Sequence, residues 1–317
     1  MEEYEPDTSA ATSFLALALE LGYIIALALD AVIRFQSTTR HQDPVHLTAH
    51  FLSSATVGPC EVHVRIIKLG KGAFTTLAAS FIQKGQEKVK LHFVFGNLSV
   101  PESHKTTRPD MTVEPPPPYA AQIPVQNHPS KCSLLPEQPK WHYLAEQQMK
   151  LARDPMYDEL LWKPGPMEAC NYVTLTDKNE QLSYQMLPVF ADIFLTFAAK
   201  NPKLPSWTFW CPTIVFTMEF KFPLPKPGTR GCASRTVAAY HKGRFLNEPH
   251  GRHETYMEVW TAPANIGDGP ETEIEGWRDH QRCLAIAYQM HIMVDVDAMP
   301  GGSTKQLKTT SWTPPKL

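Results

Sequence analysis

The sequence predicts an α+β chain that repeats one plan. A long apolar helix leads into an antiparallel meander, a proline-rich connector follows, and a second helix leads into a second meander. Three observations point there. Residues 13–35 are rich in Ala and Leu and apolar around almost the whole helix circumference, so such a helix is buried on most sides. Short alternating runs punctuated by turn residues come after it. The order of helix and strands then recurs beyond four consecutive prolines, Pro115 to Pro118, at a period of about half the chain.

In the first half, Val45-His-Leu-Thr-Ala-His-Phe-Leu52 places Val45, Leu47, Ala49 and Phe51 on one side. Glu61-Val-His-Val-Arg-Ile-Ile67 has its own alternation, and Gly70-Lys-Gly72 is a turn signal. Ala73 to Gln83 and Val89-Lys-Leu-His-Phe-Val-Phe95 follow, with Gly85 between them. Proline fixes φ and removes a donor, so the segment around Pro115 reads as an extended linker without sheet or helix. In the second half, 167–176 reads as a strand and 185–200 as a helix. Residues 213–222, 235–240, 254–261 and 282–294 read as strands. The expected organisation is a first unit at 1–100, a proline-rich linker at 101–150, a second unit at 151–298 and a disordered tail at 299–317.

Composition narrows the function. The 317 residues are 43% hydrophobic and 20% charged, a globular balance long enough for two domains. A formal net charge of -2 supplies no basic face for nucleic acid. The 6 cysteines contain no CxxC pair and are widely spaced, which fits reduced side chains better than a zinc site or a disulfide scaffold. The apolar stretch 14–33 is near the length of a membrane span, but Glu20 and Asp30 interrupt it and an acidic flank precedes it. A buried core helix is therefore expected, with no membrane partner. The chain ends Pro315-Lys316-Leu317, one residue away from a peroxisomal Ser-Lys-Leu, so cytoplasm is the expected compartment and peroxisome the second choice.

Several stretches taken together resemble the acyl-CoA thioesterase II family, in the style of its fungal thioesterase-like members. They are Gly22-Tyr23, His41-Gln-Asp-Pro-Val-His-Leu-Thr-Ala-His-Phe-Leu52, Pro188-Val-Phe-Ala-Asp-Ile-Phe194, Pro212-Thr-Ile-Val-Phe-Thr-Met-Glu-Phe220 and Leu284-Ala-Ile-Ala-Tyr-Gln289. The resemblance covers most of the chain except residues 98–160. It implies a double hotdog, in which the two meanders join into one sheet with both helices packed against it. It also implies thioester hydrolysis by a water that an Asp, a Thr and a Gln activate. The matching positions hold Asp192, Thr213 and Gln289. On this reading Asp192 is the base, Thr213 and Gln289 orient the water, a backbone N–H at a helix N-terminus meets the oxyanion, and Gly22 and Tyr23 contact substrate. The implied partner is an acyl-CoA or acyl-thioester molecule, with no cofactor, and a homo-oligomer stays open.

Read without the resemblance, Asp192 could equally cap a helix and Thr213 could simply start a strand. Gln289 is harder to explain as structure, because a buried amide in an apolar strand needs partners. Two rivals stand beside hydrolysis. One is a non-hydrolytic hotdog enzyme of secondary metabolism, of dehydratase or cyclase type, which usually wants a His on the hotdog helix. The other is a catalytically inactive acyl-binding homologue. Leu19-Glu-Leu-Gly-Tyr23 comes almost at once, so the first unit is expected to be short of its leading strand. The run His250-Gly-Arg-His253-Glu254 lacks the spacing of a metal site, and no GxSxG elbow is present.

Overall fold

The computed structural model describes residues 21–99, 117–135, 148–162, 167–193, 209–266, 273 and 275–295. Helix α1 runs Leu21–Gln36. Four strands follow: β1 Asp43–Phe51, β2 Glu61–Lys68, β3 Thr75–Gln83 and β4 Gln86–Gly96. After them come β5 Ser133–Leu134, β6 Met149–Arg153, α2 Pro155–Trp162, β7 Met167–Leu175 and α3 Met186–Asp192. The rest is β8 Phe209–Trp210, β9 Thr213–Phe220, β10 Thr236–Phe245, β11 His253–Thr261, β12 Cys283–His291 and β13 Val294–Asp295. The strand expected at 282–294 is thus two strands, and β13 pairs with β8 in a separate two-stranded sheet. The expected helix segments at 13–20 and 194–200, and the tail at 299–317, lie outside the described residues.

Eleven strands make one antiparallel sheet in the order β2-β3-β4-β1-β9-β12-β11-β10-β7-β6-β5. The two halves meet where β1 pairs with β9, through His46↔Glu219, Thr48↔Thr217 and His50↔Val215. This continuous sheet is what the duplicated pattern predicts. On each side of the junction the same succession unfolds: β1 is flanked by β4, then β3, then β2, and β9 by β12, then β11, then β10.

Helix α1 lies against the inner face of this sheet. Ile25, Ala28, Leu29 and Val32 are fully buried, spaced three and four apart as one helix face requires. They share one core with Leu47, Leu77, Leu91, Phe93 and Phe95 of the first half and Phe216, Met218 and Ala287 of the second. Burying each large side chain contributes roughly 1.5–3 kcal/mol, so this shared core welds the halves together. No helix among the described residues is long and apolar enough to cross a membrane. Helices α1 and α3 run antiparallel. Gly22 meets Asp192 at one end of the contact, and Asp30 takes a hydrogen bond from Gln185 at the other.

The proline-rich linker expected at 101–150, without sheet or helix, has both packing and a short strand where it is described. Ile123 and Val125 are fully buried in a second apolar cluster with Tyr157, Tyr172, Ala238 and Trp260, and β5 pairs with β6 at the sheet's edge. Buried Asp154 ties the segment down: it accepts from the backbone N–H groups of Gln126 (2.7 Å) and Asn127 (3.1 Å) and, at the start of α2, from that of Met156 (3.0 Å). Four prolines deny the region a strand's donors, yet its aliphatic residues still cover the sheet's outer face. The expected missing leading strand concerns residues before α1, which lie outside the described ones. Within them, β2 has β3 as its one neighbour, whereas β10 has both β11 and β7.

Candidate active site

The three residues expected to act on water come from three elements and meet. Asp192 ends α3, Thr213 opens β9, and Gln289 sits near the end of β12. Strand pairing sets two of them side by side, because Gln289 lies opposite Phe216 and His291 opposite Thr213. The Gln289 amide then spans the gap to the helix. Its Nε2 donates to the carbonyl of Ala191 (3.1 Å) and to Asp192 Oδ1 (3.5 Å), and its Oε1 accepts from Thr213 Oγ1 (3.1 Å). Thr213 is 2% exposed and Gln289 0%, whereas the Asp192 carboxylate is half-buried. A polar chain therefore leads from the interior to a partly open acid.

Gly22 approaches Asp192 from the other half of the molecule. Its N–H donates to Asp192 Oδ2 at 2.9 Å, so both carboxylate oxygens are held. A Cβ on Gly22 would lie 2.8 Å from Pro188 O, 2.8 Å from Val189 Cα and 2.9 Å from Asp192 Cβ. Only glycine lets the two helices come this close. Gly22, which the resemblance places at the substrate, thus stands against the acid. Tyr23, its neighbour, is half-buried against the apolar core. Asp192 is no N-cap of its own helix, which it terminates.

Residues that sequence reasoning missed stand behind Thr213. Its hydroxyl lies 2.9 Å from His291 Nδ1, and His291 Nε2 lies 3.4 Å from Thr255 Oγ1. The His291 ring stacks on that of His253, with centroids 4.8 Å apart and planes 12° from parallel. His253 Nδ1 contacts the carbonyl of Gly251 at 3.0 Å. Burial, helped by the neighbouring His253, pushes the His291 imidazole down to about 3, so it is neutral near pH 7. Burial also lowers His253, against the opposing pull of the Gly251 carbonyl. The signal was legible as a break in pattern: Ala285 and Ala287 set one face of β12, and polar Gln289 and His291 continue it.

Comparison with known proteins bears on the fold. Residues 21–96 match the family model described as acyl-CoA thioesterase N-terminal domain. A 72-residue stretch is 36% identical to the ustilagic acid biosynthesis cluster protein orf2 of Mycosarcoma maydis, covering 22% of this chain and 18% of that protein. The match thus spans about a fifth of that relative's length. Among solved structures, a provisionally named thioesterase II of Thermobifida fusca YX superposes with a TM-score of 0.62 at 19% identity, over 89% of this chain and 88% of that one. The acyl-CoA thioesterase II TesB2 of Mycobacterium marinum gives 0.55 at 15% identity, over 86% and 88%. A hot dog fold protein of Alicyclobacillus acidocaldarius gives 0.55 at 18%, over 88% of each chain. Residues 21–96 are thus similar to the acyl-CoA thioesterase N-terminal domain, within a chain that has a double-hotdog fold.

Proposed function

We propose that this chain hydrolyses acyl-CoA or acyl-carrier thioesters to the free acid and the thiol. The observation that carries the reading is the joining of Asp192, Thr213 and Gln289 by hydrogen bonds across three elements. The Asp192 carboxylate takes a proton from a bound water as the water oxygen attacks the acyl carbon. The C–S bond then breaks, the electron pair leaves on sulfur, and the thiolate takes up a proton. Thr213 and Gln289 both donate and accept, so they suit the orienting of that water. The units proposed for this work are 1–100 and 151–298, with the acid, hydroxyl and amide all in the second.

Thiol release from a panel of acyl-CoAs tests the reading in wild type, Asp192→Ala and Asp30→Ala. Asp30 is the acid on α1 that binds Gln185 and pairs with Arg34 at 2.8 Å. Turnover is expected to fall by roughly 100- to 10,000-fold in Asp192→Ala and to change little in Asp30→Ala. A folded wild type with no turnover at any chain length would instead support the inactive binder or the non-hydrolytic enzyme.

A further inference from the structure

We infer that His291 is a positioning residue for this hydrolysis, and that it acts as the Nδ1–H tautomer by donating to Thr213. The inference rests on the hydrolytic reading above and adds a residue to it.

The direction of each hydrogen bond follows from groups that can play only one part. A backbone carbonyl accepts and never donates, so the Gln289 group facing Ala191 O must be the NH2. Its other end, facing Thr213, is then the carbonyl oxygen, which needs a donor because it is fully buried. Thr213 has one hydroxyl proton, and that proton goes to Gln289. The Thr213 oxygen is left to accept, and the group 2.9 Å away is His291 Nδ1, which must carry the proton. A neutral His291 protonated there has a bare Nε2, which accepts from the Thr255 hydroxyl. The same proton order therefore runs from Thr255 through His291, Thr213 and Gln289 to Asp192.

The opposite tautomer reverses the contact. Nδ1 would then claim the Thr213 proton, and Gln289 Oε1 would be buried facing an oxygen with no proton for it. The amide would then be anchored at its NH2 end alone, and its hold on Asp192 would loosen. His291 is held in the required plane by the stacked His253 ring and is closed off from solvent. His291 touches neither water nor thioester on this view. It fixes the two groups that do.

Steady-state kinetics on the full chain with an acyl-CoA panel, combined with 15N NMR of the histidine ring nitrogens, tests this. His291→Leu is expected to lower kcat by about 10- to 100-fold while KM stays within about twofold, the pattern of a lost orienting partner. In His291→Asn the amide NH2 reaches the Nδ1 place, and most of kcat is expected to return. A purely structural histidine would predict equal losses in both variants, tracking their melting temperatures, and that outcome overturns the inference. So does a wild-type spectrum showing His291 protonated at Nε2 in an active enzyme. A wild type with no turnover overturns the hydrolytic reading itself, and the positioning role with it, whatever the tautomer.

Discussion

The two halves carry the same framework and opposite fillings. Starting from the Thr48–Thr217 pair at the junction, Thr48 lies opposite His92 and Thr217 opposite Tyr288. One residue further on, Phe93 of the first half corresponds to Gln289 of the second. Their neighbours correspond in turn: Leu77 with Thr255, Phe95 with His291, and Thr75 with His253. Four residues before the junction pair, Pro44 stands where Thr213 stands. Where the second half has a buried amide, imidazole and hydroxyls, the first has Phe93 and Phe95, with ring centroids 6.3 Å apart. Each face is buried equally well, so the difference is chemical. An apolar filling stabilises wherever it packs, whereas a polar filling is tolerable only if every member finds a partner. The first half therefore reads as scaffold, and among its described residues the backbone of Gly22 reaches the acid.

The largest effect that could break this comparison comes from truncating the matched pair. Phe93→Ala is expected to cost about 3–5 kcal/mol of stability, as a buried ring leaves a cavity. Gln289→Ala is expected to cost about 1–3 kcal/mol, mainly from the partners it strands. Urea midpoints measure both, and equal losses would mean that the two positions carry the same structural load. A middle-sized effect lies where the halves touch. In Gly22→Ala the intruding Cβ meets backbone that cannot rotate away, at a cost of about 1–3 kcal/mol. That outweighs the gain of about 1 kcal/mol in helix propensity. Gly72→Ala is the control, since a Cβ there meets nothing within 4 Å. A Gly22→Ala protein as stable as wild type would show that the helices have room to part.

At neutral pH the smallest effect is that of the buried histidines, and it grows as pH falls. Burial holds His241 and His291 of the second half down to about 3, from an ordinary 6.5. As pH falls below 6.5 the unfolded chain takes up protons that the folded chain refuses, and stability drops until the folded state titrates near 3. The slope is about 1.4 kcal/mol per pH unit for each such histidine, and the effect vanishes above 6.5. In the first half, burial lowers half-buried His46 too, but less completely. Between pH 6.5 and 4.5, His291→Asn should flatten the decline of urea-measured stability, and His46→Asn should leave it nearly unchanged. The reverse ranking would place the buried neutral charge-carriers in the wrong half.

Periodicity made most of the framework legible. The apolar girth of α1 announced a wrapped helix, and the alternation of Val89, Leu91, Phe93 and Phe95 announced a strand with one buried face. The packing of 117–135 was not legible because its prolines mask the period of Ile123 and Val125, and because docking through Asp154 depends on a partner distant in sequence. The polar chain was half legible. Gln289 broke its strand's pattern, but the pairing of His253 with His291 is a matter of register between β11 and β12. No local pattern reports that. His253 instead drew notice for its sequence neighbours His250 and Glu254, which it does not need.

The junction of β1 with β9 also has a history within each molecule's own synthesis. Ribosomes add about 5–20 residues per second, so the chain from Gly22 to Gln289 takes on the order of ten to fifty seconds to emerge. During much of that interval β1 is finished and β9 is not, and a row of backbone donors and acceptors waits at an open edge. The wait invites strand exchange between neighbouring nascent chains, whose β1 edges are alike. The shared central sheet thus makes the slow arrival of the second half the hazardous stage in making this protein, and the closing of β9 onto β1 the step that ends it.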